Sequence, residues 1–499
     1  MLLFYIEKPI KELIMSENPL KNLTPKEFWK YFSEISQIPR CSGDEEAIRA
    51  YLVAQAERRG LEHREDEAGN VLIRVPAAKG CEKRPIAVIQ GHIDMVCEKN
   101  SACGHDFSSD PLQLVLEGDS LRAEGTTLGA DDGIALAMGL ALLDTDAPHG
   151  PLELLFTSDE ERGLTGALNL DTSLIEGRKL FNLDSEEEGV FYIGCAGGVT
   201  TVGDLPVEWS NNVGNSTVFS LSVTGLRGGH SGANIHLGRA NAVKLGARLL
   251  WNLKEQLPIR LLKIHGGSKQ NAVAREFFAS FAAAENQREQ VHEAVRRWEA
   301  VFRTEYGDVD PDIRLRIEEL DEKPEKTLSP KTTNSTIDAL YLIPHGVDEY
   351  SRSIEGLVET STNLASVELR DYDVRIVTSQ RSSMTTKRDD ICARVSAAMK
   401  SAGAKVNYIA PYPAWTPDPR NPLIELCRGA YRELFSKEAT VTAIHAGLEA
   451  GVIGDKFEGM EMISLGPDLE DVHTPNEHLS VSSAERTWKL LLRILENLR

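Results

Sequence analysis

No stretch of the 499-residue chain approaches the ~20 consecutive apolar residues that a spanning helix needs, which argues against an α-helical membrane protein. Basic residues are also in deficit: 55 Lys and Arg stand against 76 Asp and Glu, a formal net charge of −21. That balance argues against nucleic-acid and anionic-membrane partners, while leaving room for a local cationic pocket. The seven cysteines, Cys41, Cys81, Cys97, Cys103, Cys195, Cys392 and Cys427, contain no C-x-x-C pair. Neither a disulfide framework nor a cysteine-type zinc site is expected, and a reducing compartment fits best. Short repeats and low-complexity tracts are missing too.

What is present suits a soluble globular protein. Apolar residues make up 41% and charged residues 26%, enough for a core and a solvated surface. The length suggests roughly two to four domains. Residues 1–15 read as an N-terminal extension, with Met15 as a candidate start. The apolar stretch Met1 to Ile6 is too short for a signal core, Glu7, Lys8, Lys11 and Glu12 follow it, and no small-residue cleavage site is evident. The expected location is cytoplasmic.

Periodicity organises the rest. Residues 23–35 predict a helix, with Thr24 as N-cap and Pro25 in the first turn. Residues 45–59 predict another, with Ile48, Tyr51, Leu52 and Ala56 on one stripe. Strand-like runs follow at 70–75, 85–90, 152–157 and 179–183, most ending in polar residues. A small-residue helix at 131–143 leaves the Gly-rich turn 125–133. Alternating strands and helices imply an α/β sheet, and acids repeatedly follow strand ends, where open α/β sheets collect ligands. Residues 198–412 differ in character, with strands at 218–223 and 372–377 and helices at 286–302 and 385–400. A proline-bearing linker is expected at 408–419, then a helix at 422–435, a strand at 460–465 and a helix from 482. This pattern predicts a discontinuous domain of residues 16–197 and 413–499 with residues 198–412 inserted into it.

The chemistry-bearing residues sit at those strand ends. His92-Ile93-Asp94 could pair a metal-binding imidazole with a supporting carboxylate, though most H-x-D triplets are incidental. Asp131, in Gly129-Ala130-Asp131-Asp132-Gly133, is either a ligand or a helix cap, and alone the cap is favoured. Glu160-Glu161 is either a solvated turn or a pair with two jobs, one binding metal and one accepting a proton from a bound water. Asp184 lies nearer its strand than Glu186 to Glu188, which read as an acidic loop. His473 follows a late apolar strand; His478, close behind, reads as incidental. Two imidazoles and three carboxylates at strand-end loops together suit a pair of divalent cations sharing one carboxylate.

These motifs resemble the bacterial aminoacyl-histidine dipeptidases of the large zinc amidohydrolase–exopeptidase family. The likeness rests on His92-x-Asp94, Gly-Ala-Asp131-Asp-Gly, Glu160-Glu161-x-Gly163, Asp184-Ser-Glu-Glu-Glu-Gly189 and His473-x-Pro475, with Gly125 to Gly129 and Cys195-Ala-Gly-Gly198. It runs from about Met15 to the C-terminus. The resemblance implies a zinc-exopeptidase-like α/β catalytic domain with an inserted α+β lid that also makes a homodimer. It implies two zinc ions, replaceable by manganese or cobalt. Asp131 would bridge them, with His92 and Asp184 on one ion and Glu161 and His473 on the other. Glu160 would be the general base and Asp94 would orient His92. In Gly228-Gly229-His230-Ser231-Gly232, His230 would stabilise the oxyanion, often in the partner subunit's site; without the family, a turn with an exposed histidine would be preferred. Asn271 and Arg381 resemble substrate-carboxylate contacts, and the segment Ile444 to Glu449, with His445 and Glu449, would line the pocket for the free amine. The relatives carry Arg and Pro where this chain has Gln270 and Ala274, which touches the substrate grip and not the zinc chemistry.

The expected activity is hydrolysis of small peptides: Xaa-His, including β-alanyl-histidine, with Cys-Gly as a further substrate. Rival readings within the superfamily are a broader dipeptidase, a tripeptide aminopeptidase or an N-acyl amino-acid hydrolase. A non-catalytic binding protein on the same fold would be expected to lack a ligand or the base, and none is lacking.

Overall fold

The computed structural model describes residues 18–211, 214–321 and 324–499; the extension 1–15 lies outside them. The chain forms two compact units. The first comprises the chain up to Ile193 with Asp418–Thr442 and Val452–Arg499; the second is Gly194–Pro417 with Ala443–Gly451. The expected domain keeps residues 413–499 together, whereas the short segment Ala443–Gly451 belongs to the second unit.

The first unit is built on an eight-stranded sheet. Its order is His63–Glu65, Val71–Val75, Leu152–Thr157, Ala87–His92, Lys179–Asn182, Glu461–Ser464, Val190–Cys195 and Thr440–Ile444. The central four are parallel, and the His63–Glu65 and Val71–Val75 pairings are antiparallel. Ala87–His92 and Leu152–Thr157 are buried at every position, the continuous burial expected where both faces of a parallel sheet are covered. Their carboxyl ends all point one way, so the loops after His92, Thr157, Asn182 and Ser464 open on the same edge.

The helices Lys26–Ile35, Ala130–Ala141 and Val481–Asn497 share one apolar core with this sheet. Lys26–Ile35 begins later than expected. Its N-cap is Pro25, and Thr24 makes no side-chain cap; its carbonyl instead accepts from Trp29 Nε1 at 3.3 Å. A small four-stranded sheet completes the unit, in the order Leu469–Glu470, His478–Ser480, Ser120–Ala123, Leu114–Glu117. Its first two strands form a hairpin whose tip carries His473.

The second unit has its own core around a large antiparallel sheet. Its path runs Arg314–Leu320, Ser216–Thr224, Phe277–Ala284, Arg260–Gly266, Val358–Leu369, Asp373–Ser382, Gly197–Pro206, Lys405–Tyr412, with Gly346–Tyr350 also pairing Val358–Leu369. Buried and half-exposed residues alternate along Asp373–Ser382, the mark of a sheet covered on one face. The helices Ala242–Lys254, Arg288–Tyr306, Pro330–Leu342 and Thr385–Ser401 contribute their apolar sides to the core. The expected linker at 408–419 begins instead as the end of strand Lys405–Tyr412. This is an edge strand and largely exposed, so it lacks an apolar alternation, and Pro411 is tolerated because an edge has unpaired N–H positions.

The cysteine expectation fails at one pair. Cys41 and Cys97 are joined in a disulfide, with Cα atoms 5.7 Å apart, while Cys81, Cys103, Cys195, Cys392 and Cys427 are free. The pairing follows from tertiary structure: a parallel bridge between Cys41 and Met95 lays the two segments side by side. Thiol titration of denatured, unreduced protein should therefore find five reactive groups, and seven after reduction. Seven before reduction would show that the pair is held as thiols.

A convergent histidine and carboxylate centre

The functional geometry of the first unit begins at a close approach. The helix that carries Asp131 crosses the strand that ends in His92. A Cβ on Gly91 would stand 2.2 Å from Ala135 Cβ and 2.3 Å from Asp132 Oδ2, so only glycine lets helix and strand meet here. Asp131 and Asp132 are non-helical within the segment Ala130–Ala141. Asp132 turns inward and accepts from His92 N (3.2 Å) and Ala135 N (3.1 Å). It therefore caps the helix, while Asp131 faces the loops. The cap and the ligand that compete for one aspartate in the sequence are divided between two neighbours.

Asp131 is the hub. Its Oδ1 lies 2.9 Å from His92 Nε2, and its Oδ2 lies 3.0 Å from His473 Nε2. Asp184 Oδ1 is 3.6 Å from His92 Nε2, and Glu161 Oε1 is 2.8 Å from His473 Nε2. One carboxylate thus faces two imidazole–carboxylate pairs, one with each oxygen. His92, Asp131 and Glu161 bring ligand atoms within 4.8 Å of one another, as do His92, Asp132 and Asp184. His473 holds a left-handed backbone, φ 62°, sparsely populated for a non-glycine residue, at the tip of its hairpin.

Fully buried Asp94 supports both pairs. Its Oδ1 is 3.3 Å from His92 Nδ1, and its two oxygens accept from Glu160 N (3.0 Å) and Glu161 N (3.2 Å). It fixes an imidazole and the backbone of the Glu160-Glu161 turn together. Glu160 is half-buried beside it.

The electrostatics show what the centre needs. Burial would depress His92, but hydrogen bonds to Asp131, Asp184 and Asp94 outweigh it and raise its pKa well above the usual value. Hydrogen bonds to Asp131 and Glu161 push His473 up to about 11, against burial. Burial lifts Asp184 to about 7, opposed by His92 and helped by Asp131 and Glu161. The anionic groups are crowded, and protons on the two imidazoles and the buried Arg40 guanidinium offset part of their charge. Divalent cations would relieve that crowding, and the donors, all imidazole nitrogen or carboxylate oxygen, suit zinc and its neighbours. The residues fit two cations sharing Asp131.

The second unit gathers the other expected residues. His230 pairs with Ala272 in a short antiparallel bridge, beside Asn271, whose carbonyl accepts from Ser231 N at 2.8 Å. His230 Nδ1 accepts from Gly232 N (3.3 Å) and Ala233 N (3.0 Å), so the neutral ring carries its proton on Nε2. Asn363 Nδ2 donates to the carbonyls of Gln270 and Ala272. On the same face of that strand, Ser361 meets His445 Nε2 at 2.7 Å and pairs in register with Arg381. Arg381 is buried, donates to Tyr412 Oη at 3.0 Å, and its Nε has no hydrogen-bond partner among the described residues. Burial, then Arg381, lowers His445 to about 3. Glu449 is fully buried in the same unit. Ser361, Asn363 and Tyr412 were not singled out in the sequence, where nothing marks them. The same holds for Arg40 and Glu477 in the first unit.

Imidazoles and carboxylates converging on a shared aspartate at the carboxyl edge of a parallel sheet are the donor set of a metal-dependent hydrolase. This chain belongs to the peptidase family M20/M25/M40, whose model matches residues 88–497. It is 37% identical over 485 residues to the cytosol non-specific dipeptidase of Escherichia coli strain K12, covering 97% of this chain and 99% of that one. Its structure matches the aminoacylhistidine dipeptidase of Vibrio alginolyticus with a TM-score of 0.89 at 35% identity, covering 96% of this chain and 98% of the other. An aminopeptidase from Bacillus cereus shares the fold at 18% identity and a TM-score of 0.55, with 95% and 98% covered. The mixed α/β fold and peptide-bond hydrolysis are those of the family.

Two outcomes follow from the centre itself. Gly91→Ala should destabilise the metal-free protein by about 1–3 kcal/mol, read from denaturant unfolding, because Ala135 and Asp132 must move; an unchanged midpoint would mean the helix can shift without loss. Cation uptake must displace the protons held on His92 and His473, so binding should tighten as pH rises from 6 to 8. Titration calorimetry in buffers of different ionisation enthalpy should then give different apparent heats. Identical heats would mean the imidazoles are already neutral.

Proposed function

We propose that this chain is a cytoplasmic dipeptidase that uses two zinc ions and prefers Xaa-His dipeptides, including β-alanyl-histidine, with Cys-Gly as a further substrate. The carrying observation is Asp131, which gives one oxygen to each of two imidazole–carboxylate pairs. His92 and Asp184 would hold one cation, Glu161 and His473 the other, with Asp131 between them; manganese or cobalt can take zinc's place. The names of the two similar dipeptidases support the substrate class, and the word cytosol in one of them supports the location.

When bound, the cation pair supplies an acidified water and polarises the scissile carbonyl. The protein's own groups do the rest. Glu160, its backbone anchored through Asp94, accepts the water proton and returns it to the leaving amine. His230 donates from Nε2 to the tetrahedral oxyanion, in the partner subunit's site, a role its Nδ1 contacts support by fixing the tautomer. Arg381 and Asn271 bind the substrate carboxylate. Beside Arg381 the neutral His445 adds no competing cation, and with Glu449 it receives the free amine side. The second unit would serve as lid and dimerisation domain. Its exposed strand Lys405–Tyr412, with Tyr408 and Ile409 open to solvent, supports docking of a second copy.

Glu160→Gln should keep both cations and lose at least ~10²–10⁴-fold in kcat; near wild-type turnover would remove the base assignment. His230→Ala should lower kcat more than it raises KM, and a pure KM effect would make it a binding residue. Mixed Glu160 and His230 variants should regain some activity through hybrid dimers once subunits exchange. A panel of Xaa-His, Cys-Gly, tripeptide and N-acetyl amino-acid substrates separates the Xaa-His reading from a broader dipeptidase, a tripeptide aminopeptidase and an N-acyl amino-acid hydrolase.

A further inference from the structure

The Gly-rich turn before Asp131 is held by a residue that is not itself a ligand candidate. Glu477 is only 2% exposed. Its Oε2 accepts from Leu128 N (2.8 Å) and Gly129 N (3.0 Å), and its Oε1 accepts from Ala130 N (2.8 Å) and Asp131 N (3.4 Å). Four successive backbone donors converge on one carboxylate. From the opposite side, buried Arg40 donates to Gly129 O, and also to Asp94 O (2.6 Å) and Ile93 O (3.1 Å). The turn admits little adjustment: Gly129 has φ +65°, and a Cβ there would stand 2.6 Å from Met95 Sδ and 2.8 Å from Arg40 Nη2.

Glu477 also belongs to the other half of the centre. It sits in the hairpin between Leu469–Glu470 and His478–Ser480 that carries His473, and its own N–H donates to Thr474 O at 3.0 Å. One side chain therefore ties the His473 loop to the Asp131 turn. Those loops meet where His473 Nε2 and Asp131 Oδ2 stand 3.0 Å apart. A buried anion is otherwise unfavourable so near other carboxylates. Here its position is explained by a task that only an acceptor without a proton can perform: satisfying donors with both oxygens at once.

We propose that Glu477 is a positioning residue of the two-cation centre, setting the direction of the Asp131 carboxylate and its register with His473. It rests on the two-cation reading above. Glu477→Gln keeps the shape but turns one acceptor into an amide donor facing two backbone N–H groups. Glu477→Asp keeps the charge but withdraws it by about 1.5 Å, one carbon–carbon bond.

The test compares both variants with the wild type by chelator competition with zinc and by hydrogen exchange of metal-free protein. The expected result is about 10–100-fold weaker zinc binding, with faster exchange confined to the Leu128–Asp131 turn and the His473 hairpin. Activity lost at limiting zinc should return as zinc is raised, with KM near the wild-type value. Wild-type zinc affinity in a folded variant would overturn the proposal, as would a loss of activity that added zinc does not restore. Should Glu477→Gln fail to fold, Glu477→Asp decides by the same measurements. If the wild type itself binds no zinc, the two-cation reading fails first, and faster exchange at the turn still reports whether Glu477 holds it.

Discussion

Crowding of like charge around Asp131 is the constraint on which the first unit depends. Asp131, Asp132, Asp184, Glu161 and Asp94 crowd around two imidazoles, with the buried Arg40 guanidinium nearby. A cluster of this kind is unfavourable in a low-dielectric interior unless cations or protons compensate it. Buried polar contacts keep these groups in place: Asp94 on the Glu160-Glu161 backbone, Asp132 on the helix start, Glu477 and Arg40 on the Gly-rich turn. Burial of the parallel strands supplies the rigid frame, because their ends can move only with the core.

Much of this frame was legible in the sequence, for a physical reason. Strands such as Leu152–Thr157 are buried on both faces, so they read as unbroken apolar runs, and the polar residues that follow mark their carboxyl ends. Once the strand ends are found, the His92, Glu161 and Asp184 loops are found with them. The roles within Asp131-Asp132 were not separable, since capping and ligation ask for the same side chain at the same kind of turn. Arg40 and Glu477 were invisible because their partners are backbone groups of distant loops, which leave no mark in residue type. Edge strand Lys405–Tyr412 was missed because exposure erases alternation, and Cys41–Cys97 because 56 residues separate its members.

The two units are built on different kinds of sheet. The parallel sheet of the first presents strand ends, and so offers a point where several loops converge. The antiparallel sheet of the second presents a face, along which Ser361, Asn363 and Arg381 follow the two-residue repeat of their strands. Burial, and then the nearby Arg381, lowers the pKa of His445 on that face.

The separation of 342 residues between Asp131 and His473 bears on how the centre comes into being. His92, Asp131 and Asp184 leave the ribosome early, and the strands that bear them can pair before translation ends. His473 and its hairpin emerge much later, after the whole second unit has been made. One half of the centre is therefore available to a nascent chain, while the other is withheld until the terminal hairpin joins the small sheet. The approach of His473 to Asp131 is by this arrangement possible only after the hairpin strands Leu469–Glu470 and His478–Ser480 have been made.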